Sequence, residues 1–466
     1  MMISPTDNCW LSRFPDNLSN EKILKSVAVS ALPILDLGAN SADVDARRLE
    51  RNLKLVYVAT PSICAMLKKL IQIGHAHASE KFPNVSTYVR GLYDDFSLEP
   101  PPYPFCLTGH SGVGKSELLK AFSRLLGTFE NLQIAGIEGI RNVPYWYVGI
   151  NRQVTLGELF SPILQASRGE SVSGSMLEES TIRYKLNSIL GKLKRQAQRE
   201  GVCLMGIDEL QFMTVSQDAT SLITKLLYQC WTIGPRLIFA SNFSLIHSIK
   251  RRPDQDRQRL LSNPLLMHPS EAGSEDWKMT LAELFKVAPD VFDLTDTKAS
   301  EALHHYTFGI NRRLVDLLVL AYRMQREKKE HVVKLEHIER AQRSAQFSDH
   351  RETVNALIRL SINKSTSGHV RKDLLCPFEY LGDQSFDGAD DSNVHQAEKI
   401  KERKAIRVHD DALRASLTAD ERKMVNAREG VSNKSKNQGN VMKIPRPKVL
   451  SKASLSEGDA AFNDMM

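Results

Sequence analysis

The sequence lacks the cysteine patterns that indicate a disulfide framework or a structural zinc site. Its 466 residues hold six cysteines, with no CxxC pair and no histidine partner at zinc-finger spacing. It also lacks an apolar run of the ~18 residues that a membrane helix needs. No cleavage-type pattern follows the most apolar N-terminal stretch, residues 23–37, so we expect no export signal. These absences favour a reducing, cytoplasmic compartment and argue against a membrane partner.

The C-terminal region lacks aromatic residues over a long stretch. Residues 394–456 contain no Phe, Tyr or Trp and hold 15 Lys or Arg against 7 acidic residues. Such a segment cannot bury enough apolar surface to offset its chain entropy, which predicts a disordered basic tail. An acidic stretch with a charge of −4, residues 383–393, precedes it. Residues 1–382 carry +6, against +7 for the whole chain, and are expected to form the globular body.

A glycine-rich loop lies between a predicted strand and a predicted helix. Residues 105–108 are apolar, Gly109-His-Ser-Gly-Val-Gly-Lys-Ser116 matches GxxxxGK[ST], and residues 117–126 have helical periodicity. Glycines let backbone N–H groups turn toward a phosphate, and the helix N-terminus adds a favourable dipole. Lys115 can reach the β- and γ-phosphates of ATP, and the Ser116 hydroxyl can bind Mg²⁺. The predicted nucleotide-binding residues are Gly109, His110, Ser111, Gly112, Val113, Gly114, Lys115, Ser116 and Glu117.

A second apolar run ends in two acidic residues. Residues 202–207 are typical of a buried parallel strand, and Asp208 and Glu209 follow directly. Asp208, at the carboxyl end of the strand, can hold Mg²⁺, and Glu209 can polarise the attacking water. This pair distinguishes a hydrolase-type ATPase from small GTPases and nucleotide kinases.

A third predicted strand, residues 236–241, ends at a polar residue beside the acidic strand. Asn242 is the first candidate for the sensor that orients the hydrolytic water, and Ser241 is the second. The structural alternative is that Asn242 caps the following helix.

A basic run, residues 249–259, follows the sensor strand. In ring-forming or filament-forming ATPases, this position supplies the arginine that reaches the γ-phosphate bound by the neighbouring subunit. Arg259 and Arg257 are the candidates, with Arg251 and Arg252 as alternates or DNA contacts. The structural alternative is a solvated face.

From Trp277 onward the sequence has helical periodicity throughout, which predicts a small all-α lid. Gly309-Ile-Asn-Arg312 matches a GxxR pattern that opens a lid helix, which would place Arg312 or Arg313 over the phosphates. Alternatively, both arginines only begin a helix. The predicted helices cover residues 277–285, 299–306, 312–322, 335–345 and 352–360.

The N-terminal part predicts an arm and helices. Residues 1–50 mix polar turn residues with a few apolar ones such as Trp10 and Phe14, which indicates a partly ordered arm. Residues 60–96 have apolar positions at helical spacing, which predicts one helix with Pro61 at its first position. The arm and the basic tail are the natural partner-binding ends of the chain.

These motifs together resemble those of AAA+ ATPases over residues 100–345. More narrowly, Gly206-Ile-Asp-Glu-Leu-Gln211 and residues 219–242 are similar to the DNA-transposition regulators TnsC and TniB. Ser241-Asn242 departs from the Gly-Thr of many relatives. The resemblance implies an α/β fold: a P-loop AAA+ core, in which helices sandwich a parallel sheet, with a small all-α lid.

Four parts are therefore expected. They are an N-terminal arm with helices at 1–99, a nucleotide-binding α/β domain at 100–273, the helical lid at 274–360, and a largely disordered acidic-then-basic tail at 361–466.

The resemblance also implies a function. Such proteins bind ATP and Mg²⁺, assemble with copies of themselves as a ring or helical filament on double-stranded DNA, and connect a target selector of the TniQ or TnsD type to the transposase. Hydrolysis lets the assembly come apart. The resemblance also implies a bacterial cytoplasmic protein that is associated with the nucleoid when it is active. Arg152 and Arg168 are candidates for DNA contacts on the interior of the filament, or else ordinary surface arginines.

Two other functions stay open. A replication initiator or helicase loader of the IstB, DnaC or Orc type would use the same ATPase on a different client. The Orc version is disfavoured because the sequence after residue 361 lacks the strands and recognition helix of a winged-helix domain. A non-hydrolysing, nucleotide-dependent switch would need neither Glu209 nor an arginine acting in trans.

Overall fold

The computed structural model describes most of the chain up to residue 378. The described residues are 8–30, 32–93, 102–127, 130–134, 137–150, 160, 186–210, 219–328, 330–362, 371 and 373–378. Residues 1–380 belong to one compact unit, and residues 381–466, which form a second unit, lie outside the described residues. No helix in the described part of the chain is long and apolar enough to cross a membrane.

Five parallel strands form the central sheet. Their order is β4-β5-β6-β1-β7, while β2 and β3 form a separate antiparallel pair. Because the five strands run in the same direction, their last residues meet at one side, which we term the carboxyl edge; the opposite side is the amino edge. The strands are β1 (Phe105–Gly109), β2 (Glu130–Ile134), β3 (Ile137–Asn142), β4 (Tyr145–Gly149), β5 (Leu204–Asp208), β6 (Arg236–Asn242) and β7 (Asn263–Met267).

Helices cover both faces of the sheet. Side chains alternate between faces along a strand, so Ile238 and Ala240 enter one core and Leu237 and Phe239 enter the other. The first core is shared with α1 (Asn20–Val27), α3 (Pro61–Lys81) and α5 (Lys115–Leu126). The second is shared with α6 (Leu186–Arg199), α7 (Ala219–Trp231), α8 (Phe243–Lys250) and α9 (Asp254–Leu261). This arrangement confirms the predicted fold class of the core, a parallel sheet sandwiched by helices.

The lid is a separate helical layer with its own core. All five predicted lid helices are present, and α12 begins within one residue of the GxxR arginine. Apolar residues from these helices form a third core around Trp277 and Leu317. The lid helices are α10 (Glu275–Phe285), α11 (Thr297–Thr307), α12 (Asn311–Glu327), α13 (Leu335–Arg343) and α14 (Ser348–Ile362).

The N-terminal residues do not form a separate arm. Some of them pack in the core of the sheet domain and others in the core of the lid. Trp10 and Phe14 are fully buried in the core of the sheet domain. A Cβ placed on Gly74 of α3 would lie 2.3 Å from the ring of Phe14, so this glycine makes room for the aromatic ring. In contrast, Leu49 and Leu53 of α2 (Ala42–Leu55) belong to the lid core. The predicted arm therefore completes both cores.

The single helix predicted over residues 60–96 is two helices. The start is as predicted, because Pro61 is the first helical residue and the Thr60 hydroxyl accepts the N–H of Ile63. Helix α3 ends at Lys81, and α4 (Val85–Tyr93) begins after a break at Phe82 and Pro83. Proline disfavours helical geometry at the preceding residue, and Phe82 accordingly has φ −126° and ψ 57°.

Part of the predicted tail packs on the sheet domain. Residues 371 and 373–378, which we term the C-terminal strap, lie against α8. Leu374 is buried in the first core, and the Nε2 of His247 lies 3.0 Å from the carbonyl oxygen of Leu375. The ammonium of Lys250 lies 5.2 Å from the ring centroid of Phe378. The folded body thus extends beyond residue 360, and the remainder of the predicted tail is outside the described residues.

Candidate nucleotide-binding site

The glycine-rich loop leaves the sheet at the end of β1. Gly112 and Gly114 have φ values of +87° and +104°, which only glycine adopts readily, so both glycines are needed for the shape of the loop. A Cβ on Gly112 would lie 2.9 Å from the Cβ of Arg312 in the lid. A Cβ on Gly114 would meet nothing within 4 Å, so open space lies beside the loop at the N-terminus of α5.

Lys115 points back into the loop. Its ammonium donates hydrogen bonds to the carbonyl oxygens of Gly109, at 2.9 Å, and His110, at 2.8 Å. Burial lowers the pKa of Lys115 to about 8, with Arg312 adding to the decrease and the carboxylates of Asp208 and Glu209 opposing it. The lysine is thus held beside the glycine turn and within electrostatic reach of both predicted acidic residues.

The acidic strand meets the loop directly. Strand β5 ends at Asp208, and the Ser116 hydroxyl donates to the Oε1 of Glu209 at 3.3 Å. The Oδ1 of Asp208 accepts the backbone N–H of Glu209 at 2.8 Å. The fold therefore brings together residues more than ninety positions apart in the chain, and the predicted metal ligands Ser116 and Asp208 both contact Glu209.

Glu209 has an unusual backbone. Its φ is +61°, one of only two positive values among the described non-glycine residues. For a residue with a Cβ this conformation costs about 1–3 kcal/mol and occurs preferentially at functional sites. The surrounding structure holds it in place through the contacts of its own N–H and carboxylate.

Asn242 lies at the same edge. It ends β6, and its backbone pairs with Gly109, the last residue of β1. It occupies the N-cap position of α8, yet its side chain makes no capping hydrogen bond. Ser241, the second candidate, is buried with its hydroxyl 3.8 Å from the Sγ of Cys106, inside the sheet. Of the two, only Asn242 is available at the carboxyl edge.

The lid places its two arginines differently. The N–H of Arg312 donates to the carbonyl oxygen of Gly112 at 3.3 Å, so the first turn of α12 touches the loop. Arg313 is buried, and its pKa falls to about 10 because of burial and the nearby charge of Arg371. The Arg312 side chain therefore lies beside the glycine-rich loop, whereas Arg313 points into the protein near the C-terminal strap.

His110 faces the protein interior. Its ring lies 4.8 Å from the ring of Phe243 in an edge-on arrangement, and its Nδ1 is buried without a hydrogen-bond partner. Burial and the positive charges of Arg313 and Lys115 lower the pKa of His110 to about 4. Only the backbone of this predicted binding residue therefore faces the loop.

The other predicted binding residues differ in their burial and in their contacts. Val113 is buried, Ser111 is exposed, and Glu117 forms an ion pair with Lys120 at 2.8 Å. Arg152 and Arg168, the candidate DNA contacts, lie outside the described residues.

Of the arginines after the sensor strand, Arg257 and Arg259 lie on α9, and Arg251 and Arg252 precede this helix. Arg257 and Arg259 are exposed, and Arg257 forms an ion pair with Asp254. The Nε of Arg252 donates to Asp256 at 2.7 Å, and Tyr228 donates to the same carboxylate at 2.7 Å. The hydrogen bond from Tyr228 is the main reason that the pKa of Asp256 is low. The ion pairs of Arg252 and Arg257 are thus both made with acidic residues of α9.

Tyr147 is a site residue that was not predicted from the sequence. It lies on β4, beside β5, and its hydroxyl donates to the Oδ2 of Asp208 at 3.1 Å. The sequence signal was only an aromatic strand, and nothing in it indicated which aromatic side chain would face the acidic residue. Burial and the Asp208 carboxylate raise the pKa of Tyr147, so the hydroxyl stays protonated and remains a donor.

We expect Tyr147→Phe to raise the Mg²⁺ concentration required for half-maximal ATP binding about tenfold, because residues that orient a metal ligand contribute on the order of 10–100-fold to affinity. Titration of Mg²⁺ against a fluorescent ATP analogue measures it. Tyr103→Phe, a change at an exposed tyrosine, is the control. An unchanged Mg²⁺ requirement would show that the hydrogen bond to Asp208 has no part in binding.

The donor set fits a magnesium–nucleotide complex. The open space beside Gly114 is bordered by the N-terminus of α5, where backbone N–H groups favour an anion. The Ser116 hydroxyl and the Asp208 carboxylate offer the oxygen ligands that Mg²⁺ prefers. The residues that the sequence predicted for ATP and Mg²⁺ thus occupy one side of the sheet.

No protein-family model and no curated protein matches this chain. Among solved structures, the Orc1 protein of Aeropyrum pernix in complex with DNA matches with a TM-score of 0.37 and 19% identity, covering 66% of this chain and 72% of that one. The ADP form of the ORC2 protein of the same organism gives a TM-score of 0.38 and 15% identity, covering 62% and 75%. The RuvB Holliday junction branch migration motor of Thermotoga maritima gives 0.32 and 13%, covering 64% and 75%. At these low TM-scores, we base the function proposed below on the residues of this chain.

Proposed function

We propose that this chain is an ATPase whose nucleotide state controls its assembly on double-stranded DNA. The observation that carries the proposal is the meeting of the glycine-rich loop with the acidic strand. There, Ser116 contacts Glu209, and Asp208 lies one residue away. Lys115 lies within electrostatic reach of both acidic residues. A hydrolase needs a phosphate cradle, a metal carboxylate and a general base together, and these residues supply the three parts.

Each residue has a role that follows from its position. The loop N–H groups and Lys115 bind the β- and γ-phosphates, and Glu209 accepts a proton from the attacking water. Asn242, whose side chain caps no helix, orients that water. Arg312 compensates charge on the phosphates from the lid side. Bound Mg²⁺, held by Ser116 and Asp208, would neutralise charge on the phosphate oxygens.

Assembly would follow from the exposed arginines of α9. Arg257 and Arg259 are exposed on α9, which suits action on a neighbouring subunit. An arginine that compensates charge on a neighbour's γ-phosphate makes the contact between subunits depend on ATP, because this compensation is lost after hydrolysis.

The more specific role is regulation of DNA transposition. The support is the similarity of Gly206-Ile-Asp-Glu-Leu-Gln211 and the following segment to TnsC and TniB regulators. In this role the assembly links a target selector of the TniQ or TnsD type to the transposase. A replication initiator or helicase loader is the alternative, with the same ATPase and a replicative helicase as the client.

Electron microscopy of the full chain with duplex DNA tests the proposal. We expect ordered assemblies with ATP or a slowly hydrolysed analogue and none with ADP, and weaker assembly at higher salt because the DNA contacts are to phosphates. Lys115→Ala should form none under any condition. The absence of ATP-dependent assembly would reject the proposal. Assembly only with a replicative helicase would favour the alternative.

We expect the double variant Arg257→Ala/Arg259→Ala to lose about 10³-fold or more in ATP turnover, which is the size of effect attributed to arginines acting in trans. Glu209→Gln subunits also fail to hydrolyse ATP but keep their arginines. Mixing the two inactive proteins should therefore restore part of the activity, because one supplies the arginine and the other the general base. Steady-state phosphate release measures the recovery.

The control for this experiment is Arg343→Ala, which removes an exposed lid arginine whose side chain is 77% exposed. It should hydrolyse ATP at the normal rate. If the mixture stays inactive although both variants fold, the α9 arginines do not act in trans, and the same test is then applied to Arg251 and Arg252.

A further inference from the structure

Three basic side chains converge at the amino edge of the sheet, on the side opposite the glycine-rich loop. His77 and Lys81 lie one turn apart on α3, and Arg236 begins β6. A Cβ on Gly234, two residues before Arg236, would lie 2.9 Å from the ammonium nitrogen of Lys81. The positive charges of Lys81 and Arg236 both act on the His77 ring. The three groups therefore form one cluster, which we term the amino-edge cluster.

His77 is the deepest member. The residue is 6% exposed, and both ring nitrogens are buried. The only polar contact of the ring is a poorly aligned one with the backbone of Gly234, among the residues that the structure describes. Burial and the neighbouring positive charges lower the pKa of His77 to about 3, so the ring is neutral at physiological pH. A neutral imidazole carries one N–H donor, and the weak contact with the Gly234 backbone leaves it able to donate to an incoming anion.

Lys81 has no carboxylate partner. Its ammonium lies 5.5 Å from the ring centroid of Phe82, and it forms no ion pair in the described part of the chain. Burial lowers the pKa of Lys81 to about 8, so the side chain remains mostly charged at neutral pH. Although the residue keeps some exposure, a largely desolvated charge without a partner is costly, so selection for stability alone would not favour this arrangement.

Arg236 completes the cluster. Its guanidinium lies over the ring of Phe105, 5.0 Å from the centroid, and its Nε is buried without a hydrogen-bond partner. The pKa of Arg236 is lowered by burial, with the carboxylate of Glu80 opposing the decrease. Glu80 is exposed and makes no ion pair with any of the three residues. Within the described part of the chain, the positive charge of the cluster is therefore offset only by the Glu80 carboxylate acting at a distance, without an ion pair.

We propose that the amino-edge cluster of His77, Lys81 and Arg236 is an anion site for a phosphate group. Two cations and one imidazole N–H match the charge and the several acceptor oxygens of a phosphate, and Arg and Lys are the residues that commonly bind it. Lys81 is partly exposed and can be reached from solvent, whereas His77 is buried. The group comes from free phosphate or from the backbone of a nucleic acid. The site is separate from the nucleotide loop and does not depend on the ATPase function.

Thermal unfolding of the full chain in increasing inorganic phosphate, with ionic strength held constant by chloride, tests the site. The wild-type midpoint should rise by about 5 °C at saturating phosphate, since a ligand that binds only the folded state stabilises it. Lys81→Met should lose most of this shift. Phosphate bound at the glycine-rich loop affects both proteins equally, so the difference between them reports on the amino-edge cluster.

The matched control is Lys68→Met, the same change about 20 Å earlier on the same helix. It should keep the wild-type response. Without phosphate, Lys81→Met should melt at or above the wild-type temperature because an unpaired charge has been removed; melting well below it would reveal a structural partner and overturn the proposal. Equal phosphate shifts in Lys81→Met and wild type would also overturn it. Arg236→Met provides the same test if Lys81→Met fails to fold.

A measurement of DNA binding distinguishes the two sources of the phosphate group, free phosphate and the backbone of a nucleic acid. Fluorescence anisotropy with a short duplex at several salt concentrations compares wild type with Lys81→Met. If the group belongs to DNA, the variant should bind more weakly and the slope of log affinity against log salt should fall by about 1. If DNA binding is unchanged while the phosphate shift is lost, the ligand is free phosphate.

Discussion

Replacing Glu209 with glutamine is expected to lower kcat for ATP hydrolysis by about 10²–10⁴-fold while ATP still binds, which is the range for loss of a general base. Glutamine has the same size and keeps an oxygen that can accept the Ser116 hydroxyl, at present 3.3 Å from Glu209 Oε1. It cannot take a proton from water. The variant should therefore trap an ATP-bound assembly on DNA, visible by electron microscopy alongside a single-turnover assay.

The control for the Glu209 variant is Glu301→Gln, which makes the same change at an exposed position on α11. It should turn over ATP normally. A Glu209→Gln protein with an unchanged rate would contradict the assignment of Glu209 as the general base. A protein that no longer binds ATP would show instead that the carboxylate is needed for binding.

Replacing Lys115 with alanine is expected to weaken ATP binding by about 10²-fold or more, since two charge-assisted hydrogen bonds to phosphate oxygens contribute roughly 1.5–3 kcal/mol each. The ammonium is buried, and its recorded hydrogen bonds go to two carbonyl oxygens of its own loop, those of Gly109 and His110. Equilibrium binding of a fluorescent ATP analogue measures the loss. Assembly on DNA should disappear with it.

A measurement of the melting temperature distinguishes the loss of ATP binding in Lys115→Ala from unfolding of the variant. Lys115 has a pKa lowered to about 8 by burial, so its charge opposes folding, and its removal should leave the melting temperature of the free protein equal or higher. Lys120→Ala on the same helix removes a lysine whose side chain is 48% exposed and should bind ATP normally. Wild-type affinity in Lys115→Ala would reject the nucleotide site.

Local signals in the sequence were sufficient for the elements that carry the candidate site and for the lid helices. The glycine-rich loop, the acidic strand and the GxxR helix were predictable because each depends on a few consecutive residues with a defined backbone requirement. Two features were missed. Pro83 divides the helix predicted over residues 60–96, and strand β7, which contains Pro264, was not predicted. Proline is tolerated in β7 because this strand lies at the edge of the sheet, a position that only the strand order reveals.

Contacts between distant residues were beyond sequence reasoning. The sequence predicts that Trp10 and Phe14 belong to a partly ordered arm, but both are buried. Gly74 of α3 leaves space for the Phe14 ring, and Gly201 leaves space for the Trp10 ring. Which of Arg312 and Arg313 lies beside the glycine-rich loop depends on how the lid packs against Gly112. Successive residues point in different directions around α12, so Arg312 contacts the loop while Arg313 is buried.

The sequence by itself determined the local motifs of this protein: a glycine-rich loop, an acidic pair at the end of a strand, a polar strand end and a helical lid. These follow from short patterns, since backbone conformation and side-chain chemistry are local properties. Only the tertiary structure decided which of these residues meet, added Tyr147 to the acidic pair, and gathered His77, Lys81 and Arg236 at the opposite edge. The reason is physical: burial and charge balance are set by neighbours that lie far away along the chain.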